Sequence, residues 1–403
     1  MNFLSDLPLA EPVDAAIVIG ILVIAAGVVV WQRRWWPVAV AAVICIAAGF
    51  FLQRWDVPFY LVAAAAVPLA ALIRKPKVPT VLAGAFSLLA TVGLVNIEYQ
   101  TYPDVGSLDP TPVAQEMSLA EFQSAQGFKD AAIVHLDLPG TRSQFAARQA
   151  IAYVPPAYWR GENLPVVVLL HGNPGGPDQW FGSGEAAQTA DQFQAANDGR
   201  SPIIVAVDST GSETANPICA DSSLAHVMTY LSQDVPAGIK QAFRVNQDQS
   251  HWTVAGLSYG GTCALQIATN QPTAYGSIVD ISGEAEPTIG SHQATVDKFF
   301  GGDEKAFNAQ DPAHLLKQNR YPGLAAVFIA GDDDHASVAA LSSLSQQARA
   351  AGMRTYNGTR PGGHSFQVWR PALREVLAWA AQRGGMKIDK DPFDGIEDQD
   401  VRA

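Results

Sequence analysis

The sequence predicts an α/β domain, a mostly parallel sheet with helices on both faces, preceded by an all-α region of four transmembrane helices. Three observations carry this. Four apolar segments without an internal formal charge fill the first 97 residues. From residue 131 onward, short continuous apolar runs alternate with helix-like stretches, the pattern of parallel strands buried on both faces. One such run, Trp252-Thr253-Val254-Ala255, leads into Gly256-Leu257-Ser258-Tyr259-Gly260-Gly261 and then a helix-like stretch over 262–270.

The apolar segments cover residues 15–31, 35–52, 57–73 and 78–97. Each is close to the length that crosses a ~30 Å hydrocarbon core at ~1.5 Å per residue. A signal peptide would explain one of them, not four. Buried helices of a soluble domain would need polar faces, which these lack. The third is short and contains Pro68. Basic residues follow the first segment (Arg33, Arg34) and the third (Arg74, Lys75, Lys77), whereas Asp6, Glu11 and Asp14 precede the first and Glu98 and Asp104 follow the fourth. Arg54 and Asp56 balance in the remaining loop. The positive-inside rule then puts both chain ends outside, and Trp31, Trp35, Trp36 and Trp55 stand where interfacial aromatics do. The expectation is a multi-pass protein of the cell membrane with an extracytoplasmic catalytic domain.

Residues 98–130 read as a linker and leading segment, rich in Pro, Asp, Gly and Thr over 99–112. The catalytic domain is placed at 131–386, opening with a strand pair at 131–138 and 148–154. Residues 284–321 form a long excursion that suits a lid or substrate wall, and the charged stretch 387–403 reads as a disordered tail. The first 97 residues hold six Lys and Arg against four Asp and Glu, leaving 20 against 34 of the chain's 26 and 38 for the rest. A domain that acidic argues against binding nucleic acid or bare anionic lipid. Neither repeats nor a phosphate loop occur.

The chemistry centres on Ser258. A G-x-S-x-G turn between strand and helix is a nucleophile elbow, and a Cβ at its glycines would collide across the turn. A serine hydroxyl needs a neutral imidazole to take its proton, and the imidazole needs a carboxylate to fix its tautomer. Downstream, the run 325–330 ends in Gly331-Asp332-Asp333-Asp334-His335, and Pro361-Gly362-Gly363-His364-Ser365 precedes a helix over 367–383. We assign Ser258 as nucleophile, Asp334 as acid and His364 as base, with Asp333 second for the acid and Asp332 as a turn or cap residue. The run 165–170 ends in His171-Gly172-Asn173-Pro174-Gly175-Gly176, similar to the His-Gly-Gly-Gly-type oxyanion loop of esterases. Since Pro174 has no N–H, the expected oxyanion donors are the amides of Asn173 and Tyr259.

From about residue 131 to 383 the chain resembles the esterase D family of α/β-hydrolases, which includes feruloyl esterases, S-formylglutathione hydrolases and mycolyltransferases. The resemblance rests on Ala152-Tyr153-Val154-Pro155-Pro156, the His171 loop, the Ser258 elbow, the Gly331 acid turn and Gly363-His364-Ser365-Phe366-Gln367-Val368-Trp369. It implies the α/β-hydrolase fold and acyl transfer through an acyl-serine. The Gly-x-x-Asp spacing common in that family favours Asp334, although three consecutive aspartates depart from its pattern.

Other residues are weighed against blander roles. Cys219 and Cys263 suit a disulfide outside the cytoplasm, and Cys45 a small apolar place in a span. His335 and Trp180 are candidates for the pocket wall, Asp208 for orienting a nearby loop, and Asp280 and Glu284 for fallback acids. No cofactor or metal is expected. A tethered esterase suits an envelope ester: a lipid, a mycolate-type glycolipid open to acyl transfer, or an aminoacyl lipid such as aminoacyl-phosphatidylglycerol. The non-enzymatic alternative is a membrane-held scaffold.

Overall fold

The computed structural model describes residues 5–31, 35–52, 57–125 and 127–388. The Arg33-Arg34 loop, Arg54, Trp55, Asp56 and the tail beyond residue 388 lie outside them. The chain divides into two compact units, Met1–Thr111 and Pro112–Ala403.

The first unit holds α1 (Pro12–Trp31), α2 (Trp36–Leu52), α3 (Phe59–Ala64), α4 (Ala66–Ile73) and α5 (Val78–Tyr99). Among the described residues, only α1 and α5 are long and apolar enough to cross a membrane. The four-span expectation meets two obstacles. At 17 residues, α2 reaches about 25 Å, short of a ~30 Å core. The segment 57–73 breaks into α3 and α4 at Ala65, because Pro68 has no N–H for the carbonyl one turn back. Packing in this unit is inverted relative to a water-soluble bundle. Small residues such as Ala25, Ala41, Ala70, Ala83, Ser87 and Ala90 are buried, while Ile24, Val43, Phe50, Leu72 and Leu89 are exposed. The start of α1 lies beside the end of α5: Asn96 donates to Leu9 O, and the Leu9 amide donates to Pro103 O.

The second unit is built on a nine-stranded sheet in the order β1-β2-β3-β5-β4-β6-β7-β8-β9. In chain order these are Gln115–Ser118, Ala132–Leu136, Ala150–Val154, Val166–Leu170, Ile203–Val207, Thr253–Leu257, Ser277–Ile281, Ala325–Gly331 and Arg354–Arg360. Only the β2–β3 and β3–β5 pairs are antiparallel. The five central strands β4 to β8 are buried along their whole length, as their continuous apolar runs require. Helices Val235–Ala242, Tyr259–Asn270 and His335–Ala350 pack on one face, and Ala186–Ala196 and Phe366–Arg383 on the other. The segment read as linker, 98–130, contains β1 and a short helix, Leu119–Ser124, started by a Ser118–Glu121 capping box. Phe122 on that helix is buried against Tyr158, Trp159 and Phe243.

Candidate active site

β6 ends at Leu257 and the next helix begins at Tyr259, so Ser258 makes the reversal, at φ 53° and ψ −121°. Such a φ is strained for any residue with a Cβ. The flanking glycines make it possible. A Cβ on Gly256 would lie 2.1 Å from the Gly260 carbonyl, and one on Gly260 would lie 2.3 Å from Leu170 O. The Ser258 amide donates to Ile281 O at 2.7 Å, which ties the elbow to β7.

His364 comes from the loop after β9. Its Nε2 lies 2.9 Å from Ser258 Oγ and its Nδ1 lies 2.6 Å from Asp334 Oδ2. Burial works to raise the Asp334 carboxyl, but the hydrogen bond and charge of His364, with donors from Ser337, hold it below its usual range. The same carboxylate caps the helix His335–Ala350 by accepting from the Ser337 amide at 3.2 Å. Of its neighbours, Asp332 accepts from the Gly362 amide at 2.9 Å, while Asp333 is exposed. The acid turn and the histidine loop touch backbone to backbone, since a Cβ on Gly331 would lie 2.2 Å from Gly362 O. Trp369 packs edge-on against the His364 ring, centroids 5.1 Å apart, and donates its indole N–H to Ser282 Oγ.

The loop after β4 runs against the elbow. A Cβ on Gly172 would stand 3.6 Å from that of Ser258. The Gly172 amide is taken by Gln179 Oε1 at 2.8 Å. The amides of Asn173 and Tyr259 have no acceptor among the described residues. Behind this loop lies a buried network that the sequence only hinted at. Asp208, at the end of β5, accepts from Arg148 Nε at 3.1 Å, from Arg148 Nη2 at 2.8 Å and from the Arg148 amide at 2.8 Å. Burial pushes the Asp208 carboxyl up, but the contact with the His171 ring, the Arg148 guanidinium and the surrounding amides overcome it and hold it far below its usual range. Arg148 also donates to Gly175 O and pairs with Glu213. The sequence signal was Asp208 alone; Arg148 carried none.

Cys219 and Cys263 are joined by a disulfide, with Cα atoms 5.5 Å apart. It pins the loop after β5 to the helix that follows Ser258. That loop supplies Glu213 O to the Gly175 amide at 3.0 Å and Ala215 O to Asn173 Nδ2. Trp180 is fully buried and donates to Leu170 O at 2.9 Å, so it supports the loop from the core instead of lining a wall. His335 is exposed. The excursion 284–321 folds into helices His292–Phe300, Glu304–Asn308 and Pro312–Gln318, and packs Phe299 against Ile218 and Ala220.

Asp280 on β7 is fully buried and makes no hydrogen bond of normal geometry. It is not bonded to His364; its carboxyl occupies the space that Cβ atoms on Gly261 and Gly283 would fill. Burial, opposed by the Gly283 amide and aided by the charge of Glu284, pushes its pKa up to about 8. The unfolded chain titrates this carboxyl near ~3.9, so between that pH and about 8 the folded state holds a proton that the unfolded state has lost. Stability therefore falls as pH rises through this window. Asp280→Asn is neutral throughout. Thermal melts at pH 5 and pH 8 are expected to show the difference in Tm between variant and wild type moving in the variant's favour at the higher pH. Asn brings donors of its own, so the slope is the test; a difference that does not change with pH would refute the assignment.

Residues 146–380, more than half of the chain, match the model of the esterase family, described as "Putative esterase". An uncharacterized protein of Corynebacterium glutamicum is 46% identical, covering 96% of this chain and 100% of its own. Among solved structures, a ferulic acid esterase superposes with a TM-score of 0.56 at 19% identity, covering 64% of this chain and 100% of its own. An S-formylglutathione hydrolase from Agrobacterium tumefaciens gives a TM-score of 0.53 at 19% identity, over 64% of this chain and 97% of its own. At that identity the two structures speak for the fold, α/β-hydrolase-like with a mostly parallel sheet. The match across residues 146–380 settles the family: this chain belongs to the esterases.

Proposed function

We propose that this protein is a membrane-anchored serine ester hydrolase or acyltransferase that acts outside the cytoplasm on an ester of the cell envelope. The observation that carries the chemistry is the unbroken line from Ser258 Oγ through the His364 imidazole to Asp334, at 2.9 Å and 2.6 Å. His364 Nε2 takes the Ser258 proton as the oxygen attacks the ester carbonyl. The oxyanion rests on the Asn173 and Tyr259 amides, which have no acceptor among the described residues. His364 then protonates the leaving alcohol and afterwards deprotonates the acceptor. Water as acceptor gives hydrolysis, and a sugar or glycerol hydroxyl gives transfer, the mycolyltransferase-like variant of the same steps. The intact line speaks against a scaffold.

Membrane anchoring is supported by the inverted packing of the first unit. Helices that bury Ala and Ser and expose Ile, Leu and Phe suit lipid, where small residues make close helix contacts. In water the same surface would be a large apolar patch. Because α1 starts where α5 ends, both chain ends leave the bundle on one side. The basic loops at Arg33-Arg34 and Arg74-Lys75 favour the cytoplasm for the opposite side. The span count of four stands as part of this proposal, with α2 and the α3–α4 pair as the short members.

Among lipid esters, the exposed carboxylates of Asp332 and Asp333, in the same turn as Asp334, favour a substrate carrying an ammonium group. Aminoacyl-phosphatidylglycerol has that chemistry. Purified full-length protein in liposomes is expected to cleave or transfer the aminoacyl ester faster than the fatty-acyl esters of phosphatidylglycerol. Protease added outside intact spheroplasts is expected to digest the second unit. Turnover of small soluble esters with none on any envelope lipid would defeat the substrate proposal, and protection from protease would defeat the orientation.

A further inference from the structure

A peptide unit is planar and trans, so its carbonyl and its N–H point in opposite directions. The unit joining Gly172 to Asn173 has its carbonyl oxygen 2.7 Å from Nδ1 of His171. A donor on Nδ1 that holds this carbonyl fixes the opposite direction for the Asn173 N–H, which has no acceptor among the described residues. The tautomer of His171 is therefore coupled to the aim of the amide.

The surroundings assign that tautomer. The imidazole is fully buried, so its partners are those of the protein. The Ser209 amide donates to Nε2 at 3.2 Å, which requires the lone pair to be there and the proton on Nδ1. Arg148 Nη2 lies 3.5 Å from Nε2 and 2.8 Å from Asp208 Oδ1. The 3.2 Å approach of Nε2 to Asp208 Oδ1 then joins two acceptors that face one cation.

We infer that His171 is a positioning residue: its Nδ1–H grips the Gly172 carbonyl and so aims the Asn173 amide at the oxyanion, while the Ser209 amide and the Arg148 guanidinium, itself held by Asp208, keep donors at Nε2 and so hold the tautomer that makes this possible. The inference rests on the acyl-serine chemistry proposed above. It gives the pair of half-buried Arg148 and fully buried Asp208 a role in catalysis at one remove.

The test uses the full-length protein and p-nitrophenyl acetate. His171→Leu is expected to lower kcat on the order of 10²-fold while KM stays within about threefold, the signature of an interaction made only in the transition state. Inhibition by a trifluoromethyl ketone, which forms the same oxyanion, should weaken in parallel. His171→Asn places an amide N–H near the position of Nδ1 and is expected to recover most of the loss. A folded His171→Leu protein with unimpaired kcat, or an Asn variant no better than Leu, would overturn the inference. Where Leu fails to fold, ¹⁵N-histidine spectra of the wild-type chain decide: a proton on Nδ1 alone supports the inference, and a proton on Nε2 overturns it. Activity surviving in Ser258→Ala would defeat the acyl-serine reading itself. A dead Ser258→Ala beside an unimpaired His171→Leu would defeat only this one.

Discussion

Ser258→Ala is expected to abolish labelling by a fluorophosphonate and to lower ester cleavage by roughly 10⁴- to 10⁶-fold, the range set by loss of a triad nucleophile. The oxyanion loop, the imidazole and the sheet all remain, so the residual rate measures what they contribute without covalent chemistry. Loss of fold is a poor competing explanation. Alanine keeps the Cβ that already sits at φ 53°, so the backbone strain of the elbow is unchanged. Circular dichroism of the variant should match the wild type. Stoichiometric labelling of another serine, with activity intact, would remove Ser258 from the mechanism.

Asp334→Asn is expected to cost on the order of 10⁴ in turnover. The carboxamide Oδ1 can still accept from the Ser337 amide, so the cap of helix His335–Ala350 survives. Toward His364, an NH₂ in place of Oδ2 would present a donor to Nδ1, which must then accept. The imidazole proton is left on Nε2, facing Ser258 Oγ, where a base is needed. Asp332→Asn should cost little, because its side-chain oxygen can still accept from the Gly362 amide. A large loss at Asp332, Asp333 or Asp280, with Asp334→Asn active, would transfer the role to that residue and leave the rest of the scheme standing.

The sheet and the elbow were legible in the sequence because their signals are local. The apolar runs at 165–170, 203–208, 252–255 and 325–330 are met by the fully buried strands Val166–Leu170, Ile203–Val207, Thr253–Leu257 and Ala325–Gly331. The glycines of the elbow announce a turn that only they permit. β1 escaped notice because Gln115-Glu116-Met117-Ser118 lies at the sheet edge and buries one side chain. Three consecutive aspartates look alike in sequence; the turn after Gly331 decides which one the His364 ring meets. Arg148 was invisible for another reason. It lies two residues before β3 and meets Asp208, just past β5, and Gly175 from the loop after β4, a junction made by strand order and not by spacing. In the first unit, hydropathy counted apolar residues but could not weigh what Pro68 does to a helix between residues 57 and 73.

The bond between Cys219 and Cys263 has a consequence for when the protein becomes competent. The segment that braces Asn173 and Gly175 is held to the helix behind Ser258 by a covalent link that forms only under oxidising conditions. Newly made chains inside a reducing cell would carry every reactive group but lack this tether. With the extracytoplasmic placement proposed above, the bond would form only after export, and the segment bracing Asn173 and Gly175 would be tied down only there.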